Sequence, residues 1–181
     1  MHYINKMAAK SRKLLIVGLG NPEPEYSLTR HNAGFMATNV LAGSDAKWKK
    51  ERHYLIAEAG RLAFIKPQTF MNLSGQAVLA AMAKYRAGLE NIIVIHDDID
   101  LKPGTIKTKI GGGNAGHNGL RSISEMCGND YRRIRIGIGR PGNKEIEISD
   151  WVLGRFPQAE LETISAAIDA VKVLLAALTA D

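Results

Sequence analysis

The sequence predicts an α/β protein: a single three-layer α/β/α domain built on a twisted, mixed and mostly parallel sheet. Apolar runs such as LLIVGLG at 14–20 are typical of strands that are buried on both faces of a parallel sheet. These runs alternate along the chain with helical patterns, which is the order expected for this class. The 181 residues, of which 45% are hydrophobic, suit one core rather than two.

The first elements are a strand, a turn and a helix. LLIVGLG at 14–20 forms the strand, and NPEPEY at 21–26 follows it as a turn. Apolar side chains recur at helical spacing over 32–43, which predicts the first helix. The basic segment KWKKERH at 47–53 is interpreted as a loop or the edge of a strand.

A second strand and helix follow. RLAFIKP at 61–67 is predicted as a strand that Pro67 ends. The next segment, 74–88, has the pattern of a helix. Ser74 is expected to be its N-cap, and Gly88 is expected to stop it.

The second half of the chain continues the alternation. NIIVIHDDID at 91–100 opens as a buried strand and ends in charge, and TIKTKI at 105–110 alternates like a half-exposed strand. A short helix is expected within 116–128. RRIRIGIG at 132–139 alternates, with isoleucines on one face and arginines on the other. The segment 157–178 has one apolar face along a final helix, with its proline in the first turn.

Composition limits the setting of the protein. A net charge of +6 and a pI of about 9.5 favour a polyanionic partner such as nucleic acid. Cys127 is the one cysteine, which fits a reducing, cytoplasmic compartment. No apolar run reaches the roughly 18 residues of a membrane helix, so no membrane partner is expected. Residues 1–12 lack the apolar core of a secretory signal and are predicted as a mobile leader, with 13–181 as a single catalytic domain.

Polar side chains follow the predicted parallel strands at the point where each strand ends. Asn21 follows 14–20, and Asn72 follows 61–67. Ligands of α/β proteins gather at the carboxyl ends of parallel strands, so these side chains are expected to share one rim. The residues expected there are Asn21, His31, Asn72, the aspartates Asp97, Asp98 and Asp100, and His117 and Asn118 of the glycine-rich loop.

His31 with one of these aspartates indicates general-base chemistry. A neutral imidazole is available near neutral pH, and a carboxylate on one ring nitrogen sets the tautomer and stabilises the imidazolium. No serine or cysteine lies in a nucleophile-elbow pattern, which favours direct attack by water. The asparagine amides can donate to a developing oxyanion and accept from a substrate N–H. Simple capping of turns and helices is the alternative role for each asparagine.

Three other patterns are weaker. GLGNPE opens like a dinucleotide-binding fingerprint, but Glu23 stands at the third glycine position. The loop 111–119 lacks the ending of a P-loop and is interpreted as a flexible loop that a ligand approaches closely. HDDID suggests a metal site formed by His96, Asp97 and Asp100, but its spacing matches no common metal motif. We therefore expect no metal and no cofactor.

Several long motifs occur in a fixed order from Leu14 to Phe156. They are GLGNP, TRHNAG, KPQTFMNLSG, HDDIDL, GGGNAGHNGLRS, RIRIGIGRP and WVLGRF. Together they resemble the bacterial peptidyl-tRNA hydrolases. The resemblance implies hydrolysis of the ester that joins a peptide, or an N-blocked amino acid, to the 3′ end of tRNA. It also implies a cytosolic monomer that uses neither a metal nor an organic cofactor.

Site residues follow from the resemblance position by position. His31 in TRHNAG matches the general base, and Asp97, the first aspartate of HDDID, matches its partner. Asn21 matches the residue that helps to distinguish blocked from free amino groups. The other implied substrate-binding residues are Tyr26, Phe70, Asn72 and Asn118 around the tRNA end and the peptide, and Lys109 and Arg135 around a tRNA phosphate.

The chain departs from the family pattern at two places, and two rival functions remain open. Glu23 stands where the family often has glycine, and Asn114 and Ala115 interrupt a loop that usually reads GGGHGGHNG. One rival is an RNA-binding protein without catalysis. The other is a metal-dependent esterase that uses the HDDID residues.

Overall fold

The computed structural model describes residues 13–180, and the predicted mobile leader at 1–12 lies outside them. Within 13–180, one mixed sheet of seven strands carries helices on both faces, which confirms the predicted α/β class. The strands are β1 (Leu14–Gly18), β2 (Lys49–Lys50), β3 (Tyr54–Ala59), β4 (Leu62–Pro67), β5 (Ile92–Asp98), β6 (Ile106–Ile110) and β7 (Arg132–Gly137). The helices are α1 (Ala33–Ala42), α2 (Ser74–Tyr85), α3 (Asn118–Cys127), α4 (Ile148–Leu153) and α5 (Gln158–Thr179).

The strand order of the sheet is β2-β3-β4-β1-β5-β7-β6. The four central strands, β4, β1, β5 and β7, run parallel, whereas the strands at both edges pair in the antiparallel direction. Parallel neighbours end at the same edge of a sheet. The segments that follow β1, β4 and β5 therefore meet at one rim.

Two apolar cores cover the two faces of the sheet. Val17 of β1 belongs to a core that Val78 of α2 and Ile123 of α3 complete. Its neighbour Ile16 belongs to the other core, which includes Ile168 of α5. Because successive side chains of a strand point to opposite faces, a strand between two cores must be apolar at every position. Burying each such side chain contributes about 1.5–3 kcal/mol.

Helix α1 packs directly on the strands because two glycines allow a close approach. A Cβ atom on Gly18 would overlap the carbonyl group of Gly34, and a Cβ atom on Gly34 would overlap the carbonyl oxygen of Ile95. This contact holds the one-turn 3₁₀ helix Arg30–Asn32, which precedes α1, beside the strand ends. His31 lies in that turn, at the entrance to α1.

Helix α2 starts at Ser74 as predicted, but both predicted capping residues and its C-terminal end are wrong. Ser74 is the first helical residue rather than the N-cap, and its hydroxyl donates to the carbonyl oxygen of Met71 at 2.8 Å. The helix stops at Tyr85 because Arg86 adopts a left-handed conformation with φ of 50°, so Gly88 is not the terminator.

Strand β3 and helix α4 are not predicted from the sequence. Strand β3 pairs antiparallel with β4. The short strand β2 lies inside the segment 47–53, which is predicted as a loop or the edge of a strand. Helix α4 has six residues, which is too short for a helical period to be recognised.

The start of the last helix also differs from the prediction, because Pro157 is the N-cap of α5 rather than part of its first turn. No helix within 13–180 is both long and apolar enough to cross a membrane.

Candidate active site

His31 and Asp97 form a hydrogen-bonded pair at the rim of the sheet. Nδ1 of His31 lies 2.9 Å from Oδ1 and 3.0 Å from Oδ2 of Asp97. The two side chains are 10% and 2% exposed. Since Nδ1 is committed to the carboxylate, Nε2 of His31 is the nitrogen that remains to take a proton.

Burial and charge shift the pKa values of this pair in opposite directions. Burial by itself would lower the pKa of His31, but the charge and hydrogen bond of Asp97 outweigh it, so this pKa lies above its ordinary value of 6.5. Burial would raise the pKa of Asp97, but His31 and His117 hold it well below its usual range. The carboxylate therefore stays ionised at neutral pH and stabilises a proton on His31.

His117 contacts the same carboxylate from the other side. Its Nε2 lies 3.1 Å from Oδ1 of Asp97, and its Nδ1 accepts from the backbone N–H groups of Gly119 and Leu120 at 3.1 and 3.4 Å. These contacts require the proton to be on Nε2, which donates to Asp97. Burial lowers the pKa of His117, so this ring is neutral.

His117 is placed at the rim from the sequence, but only Asn118 of this loop is given a role there, so the contact of His117 with Asp97 was not predicted. His117 is the N-cap of α3, and its ring is placed by the free N–H groups of that helix. Its position immediately before the first helical residue is the sequence signal that could have found it.

The metal site considered from the sequence does not form. Nδ1 of His96 bonds the backbone carbonyl of Asp97 at 2.6 Å, and the carboxylate of Asp100 instead accepts from Arg140 at 2.7 Å. One ligand atom each of His31, Asp97 and His117 does lie within 4.8 Å of the others.

This second set is also a poor metal site. A metal-bound histidine usually donates its other ring N–H to an acceptor. The other nitrogen of His117, Nδ1, faces two backbone N–H donors instead. A metal on Nε2 would move the ring proton to Nδ1, where this N–H would face the two backbone N–H donors and find no acceptor.

A cavity of about 530 Å³ opens beside the histidine–aspartate pair. Among the predicted site residues it is lined by His31, Asp97, Lys109, Asn118 and Arg135. Its lining also includes the glycine-rich loop after β6 and part of α4. The fold therefore joins the predicted general base and the predicted phosphate-binding residues in one space.

The other predicted residues lie on segments that flank this cavity rather than in its lining. The Oδ1 atom of Asn21 accepts from the backbone N–H of Met71 at 2.9 Å. Phe70 and Asn72, on either side of Met71, are exposed, and Tyr26 is half-buried. Asn21, Tyr26, Phe70 and Asn72 therefore form a second group, beside the predicted residues that line the cavity.

Asn32, which the sequence prediction did not include, positions Asn21. Its Oδ1 accepts from the backbone N–H of Asn21 at 2.8 Å, and its Nδ2 donates to the carbonyl of Asn21 at 2.9 Å. Its place in TRHNAG, directly after His31, was the available signal. The two flanks of the site are also in contact, because Met71 packs against Gly119 at the start of α3.

The basic residues of the cavity are held by neighbouring groups. Nζ of Lys109 donates to the carbonyl of Gly113 at 3.1 Å, and Nε of Arg135 donates to Asp98 at 2.7 Å. Partial burial, together with Arg133 and Arg135, lowers the pKa of Lys109. Both cations are partly exposed, which leaves them accessible to an anion.

Fold and site together define a class of protein. A histidine whose tautomer is set by a buried carboxylate, at the carboxyl edge of a parallel sheet and beside an open cavity, is suited to a hydrolase in which the histidine activates water. Residues 15–181 match the model of the family described as peptidyl-tRNA hydrolase.

Relatives agree with this match. The peptidyl-tRNA hydrolase of Rickettsia africae is 49% identical over 165 residues, which cover 87% of this chain and 89% of that protein. The peptidyl-tRNA hydrolase of Rhodospirillum centenum is 47% identical over 163 residues, covering 87% and 71%. A crystal structure of peptidyl-tRNA hydrolase from Acinetobacter baumannii superposes with a TM-score of 0.83 at 42% identity, covering 90% of this chain and 86% of that one. The chain therefore belongs to the peptidyl-tRNA hydrolase family.

Proposed function

We propose that this protein is a peptidyl-tRNA hydrolase, which cleaves the ester between a peptide, or an N-blocked amino acid, and the 3′ end of tRNA. The family match and the relatives support the reaction. The observation that carries the mechanism is the bond of 2.9 Å between Nδ1 of His31 and Asp97 at the wall of an open cavity.

In the proposed mechanism, His31 is the general base. Its Nε2 takes a proton from a water molecule as the water oxygen attacks the ester carbonyl carbon. Asp97 keeps the required tautomer and stabilises the imidazolium that forms. When the bond between the carbonyl carbon and the ribose oxygen breaks, His31 returns the proton to that oxygen. The products are the free peptide acid and tRNA.

Asn21 is proposed to select blocked amino groups. Because its Oδ1 already accepts from Met71, the group that it offers to a substrate is the Nδ2 donor. A peptide carbonyl can accept from this donor. A free ammonium group has only N–H donors, so it cannot form a hydrogen bond with the Nδ2 amide. Asn118, in the cavity lining, and Asn72, beside Met71, are proposed to hold the peptide and the developing oxyanion.

Lys109 and Arg135 are proposed to hold a phosphate of the tRNA, while Phe70 and Tyr26 contact its 3′ end or the peptide. Phosphate contacts add affinity that carries no base-sequence information. That property suits an enzyme that must accept many tRNAs.

We also propose that residues 13–181 form one catalytic domain, which acts as a monomer in the cytoplasm. One sheet with a core on each face supports the single domain. A translation substrate and a single cysteine support the cytoplasm.

The test compares hydrolysis of N-acetyl-aminoacyl-tRNA and unblocked aminoacyl-tRNA in the presence of a transition-metal chelator. We expect rapid cleavage of the blocked substrate only, and a loss of about 10²- to 10⁴-fold in kcat for His31→Ala, which should still bind tRNA. His53→Ala, a histidine outside the cavity lining, is the matched control. Binding without turnover by the unmodified protein would favour the RNA-binding rival, and loss of activity in chelator would favour the metal-dependent esterase.

A further inference from the structure

Asp98 lies next to Asp97 in the chain but faces the opposite side of the sheet. Asp97 points to His31, whereas Asp98 points to Arg135 on the neighbouring parallel strand β7. Asp98 is 8% exposed, and both of its oxygens are in use. Oδ2 accepts from Nε of Arg135 at 2.7 Å, and Oδ1 accepts from the backbone N–H of Asp100 at 2.9 Å.

The contact through Nε leaves the outer end of Arg135 available. Within residues 13–180, the two terminal nitrogens of Arg135 donate no hydrogen bond to the protein, and the side chain is 21% exposed in the cavity lining. A guanidinium group held by Nε presents its two terminal N–H groups as a fork of fixed direction. Such a fork binds a carboxylate or a phosphate in bidentate geometry.

Lys109 shares this side of the cavity. On the antiparallel strand β6, Lys107 pairs with Arg135 and Lys109 pairs with Arg133, so both lysines face the same side of the sheet as the arginines. Lys109 also lines the cavity, where Gly113 holds its Nζ. Two restrained cations therefore flank one space.

We infer that Asp98 is a positioning residue for tRNA binding, which aims the terminal nitrogens of Arg135 at a substrate phosphate. The inference rests on the proposed function, because the phosphate belongs to the tRNA. Arg135 holds the pKa of Asp98 below its usual range, more than offsetting the effect of burial, so Asp98 stays charged. Arginine loses less entropy on binding when its fork is already oriented.

Two effects of Asp98 on phosphate binding have opposite signs. Its negative charge repels a phosphate, so simple electrostatics predicts tighter tRNA binding when the charge is removed. Orientation predicts weaker binding, because a neutral amide holds the guanidinium less strongly than a carboxylate does. The sign of the change in Kd therefore decides between them.

The experiment measures the Kd of deacylated tRNA for Asp98→Asn over a series of salt concentrations. We expect binding about fivefold weaker than in the unmodified protein, with the slope of log Kd against log salt reduced by about one unit. Glu147→Gln is the matched control, since Glu147 also lines the cavity but pairs with no cation among residues 13–180. This control should bind tRNA equally well or more tightly.

A double-mutant cycle with Arg135→Ala tests whether Asp98 acts through Arg135. In that background, Asp98→Asn should no longer weaken binding, and Kd should stay unchanged or become slightly smaller. Tighter binding by Asp98→Asn, or an equal loss with and without Arg135, would overturn the inference. In turnover assays the loss should fall on KM rather than kcat. Because Kd does not depend on turnover, a failure of the proposed hydrolysis is distinguishable from a failure of this inference.

Discussion

At the scale of residues, the site is organised around one carboxylate that receives two imidazole rings with different roles. Asp97 accepts from Nδ1 of His31 and from Nε2 of His117. The neighbours of each ring decide what it can do. His31 keeps a nitrogen for the cavity, whereas the second nitrogen of His117 is occupied by the backbone of α3. Of these two rings, His31 is therefore the one with a nitrogen available for the proposed role of general base.

Replacing Asp97 should slow the reaction and move its pH dependence. For Asp97→Asn we expect kcat to fall by about 10²- to 10⁴-fold, because the tautomer and the imidazolium lose their partner. Asp97 raises the pKa of His31 and burial lowers it, so the variant should have the lower pKa. The acid limb of kcat/KM should then move to lower pH. An acid limb that stays in place in a folded variant would contradict the pairing.

Replacing His117 should move the acid limb of kcat/KM to higher pH, the direction opposite to that expected for Asp97→Asn. His117→Asn keeps an N-cap for α3 but removes the donor to Asp97, which leaves more of the carboxylate charge acting on His31. We expect kcat to fall by about tenfold or more and the acid limb to move to higher pH. His117→Ala also removes the cap, so thermal unfolding should show it to be less stable by about 1 kcal/mol than His117→Asn. Equal stability of the two variants would argue against the capping role.

At the scale of elements, buried arginines hold the segments that form the cavity wall. Arg133 is fully buried and donates to the carbonyls of Gly112 and Gly113 at 3.1 and 3.0 Å. It also donates to Asn129 at 2.6 Å and to Asn114, one of the residues that depart from the family pattern. The glycine-rich loop is therefore restrained before it reaches α3.

A second arginine joins the turn that carries His31 to the C-terminal helices. The guanidinium of Arg30 stacks at 3.6 Å on the ring of Trp151 in α4 and pairs with Glu160 of α5 at 2.9 Å. Its backbone N–H also donates to the carbonyl of Gly154 at 3.0 Å. Helix α4, which lines the cavity, is thereby fixed against the turn that carries His31.

Removing the Arg133 side chain should loosen the glycine-rich loop. Arg133→Met removes the charged hydrogen bonds that this buried guanidinium makes to the loop and to Asn129, which should lower the free energy of unfolding by about 1–3 kcal/mol. Hydrogen exchange should become faster over 111–117, and kcat should fall because this loop leads into His117 and Asn118. Arg132→Gln, on the same strand, is the matched control. If the loop keeps its protection in Arg133→Met, the restraint lies elsewhere.

At the scale of the whole molecule, the sheet buries ionisable groups under the site and so couples folding to pH. Burial, together with the neighbouring His117, lowers the pKa of His96 to about 3. At pH values below about 6.5, His96 is protonated in the unfolded chain but stays neutral in the folded protein. His117 contributes in the same direction, and His31, whose pKa is raised, contributes in the opposite one.

Stability should therefore fall with acid in a way that depends on His96. Between about pH 6.5 and pH 3, this residue should lower the free energy of unfolding by up to about 1.4 kcal/mol per pH unit. His96→Asn should flatten the dependence of stability on pH, as measured by urea unfolding at several pH values. An unchanged slope, or an NMR titration of the His96 ring near its ordinary pKa, would contradict this.

The sequence by itself was sufficient for the class of fold and for the rim at which polar groups gather. Apolar runs such as LLIVG must lie between two cores, and parallel strands must end together, so Asn21 and Asp97 were expected at one edge. The strand β3 and the helix α4 were missed because their patterns are short or mixed. The roles of the predicted site residues remain predictions that the variants above test.

What the tertiary structure decided is the set of contacts between residues far apart in the chain. His31 and Asp97 are 66 positions apart, and the close packing of α1 on β1 and β5 sets the distance between them. His117 and Asn32 lie beside recognisable sequence features, but their contacts with Asp97 and Asn21 join residues that are distant in the chain. The pairing of Asp98 with Arg135 also joins distant residues, and it has no local sequence signal. Hydrogen bonds depend on distances of a few tenths of an ångström, which periodicity does not encode and packing does. The sequence therefore determined which residues gather at the rim, and the fold decided which atoms meet.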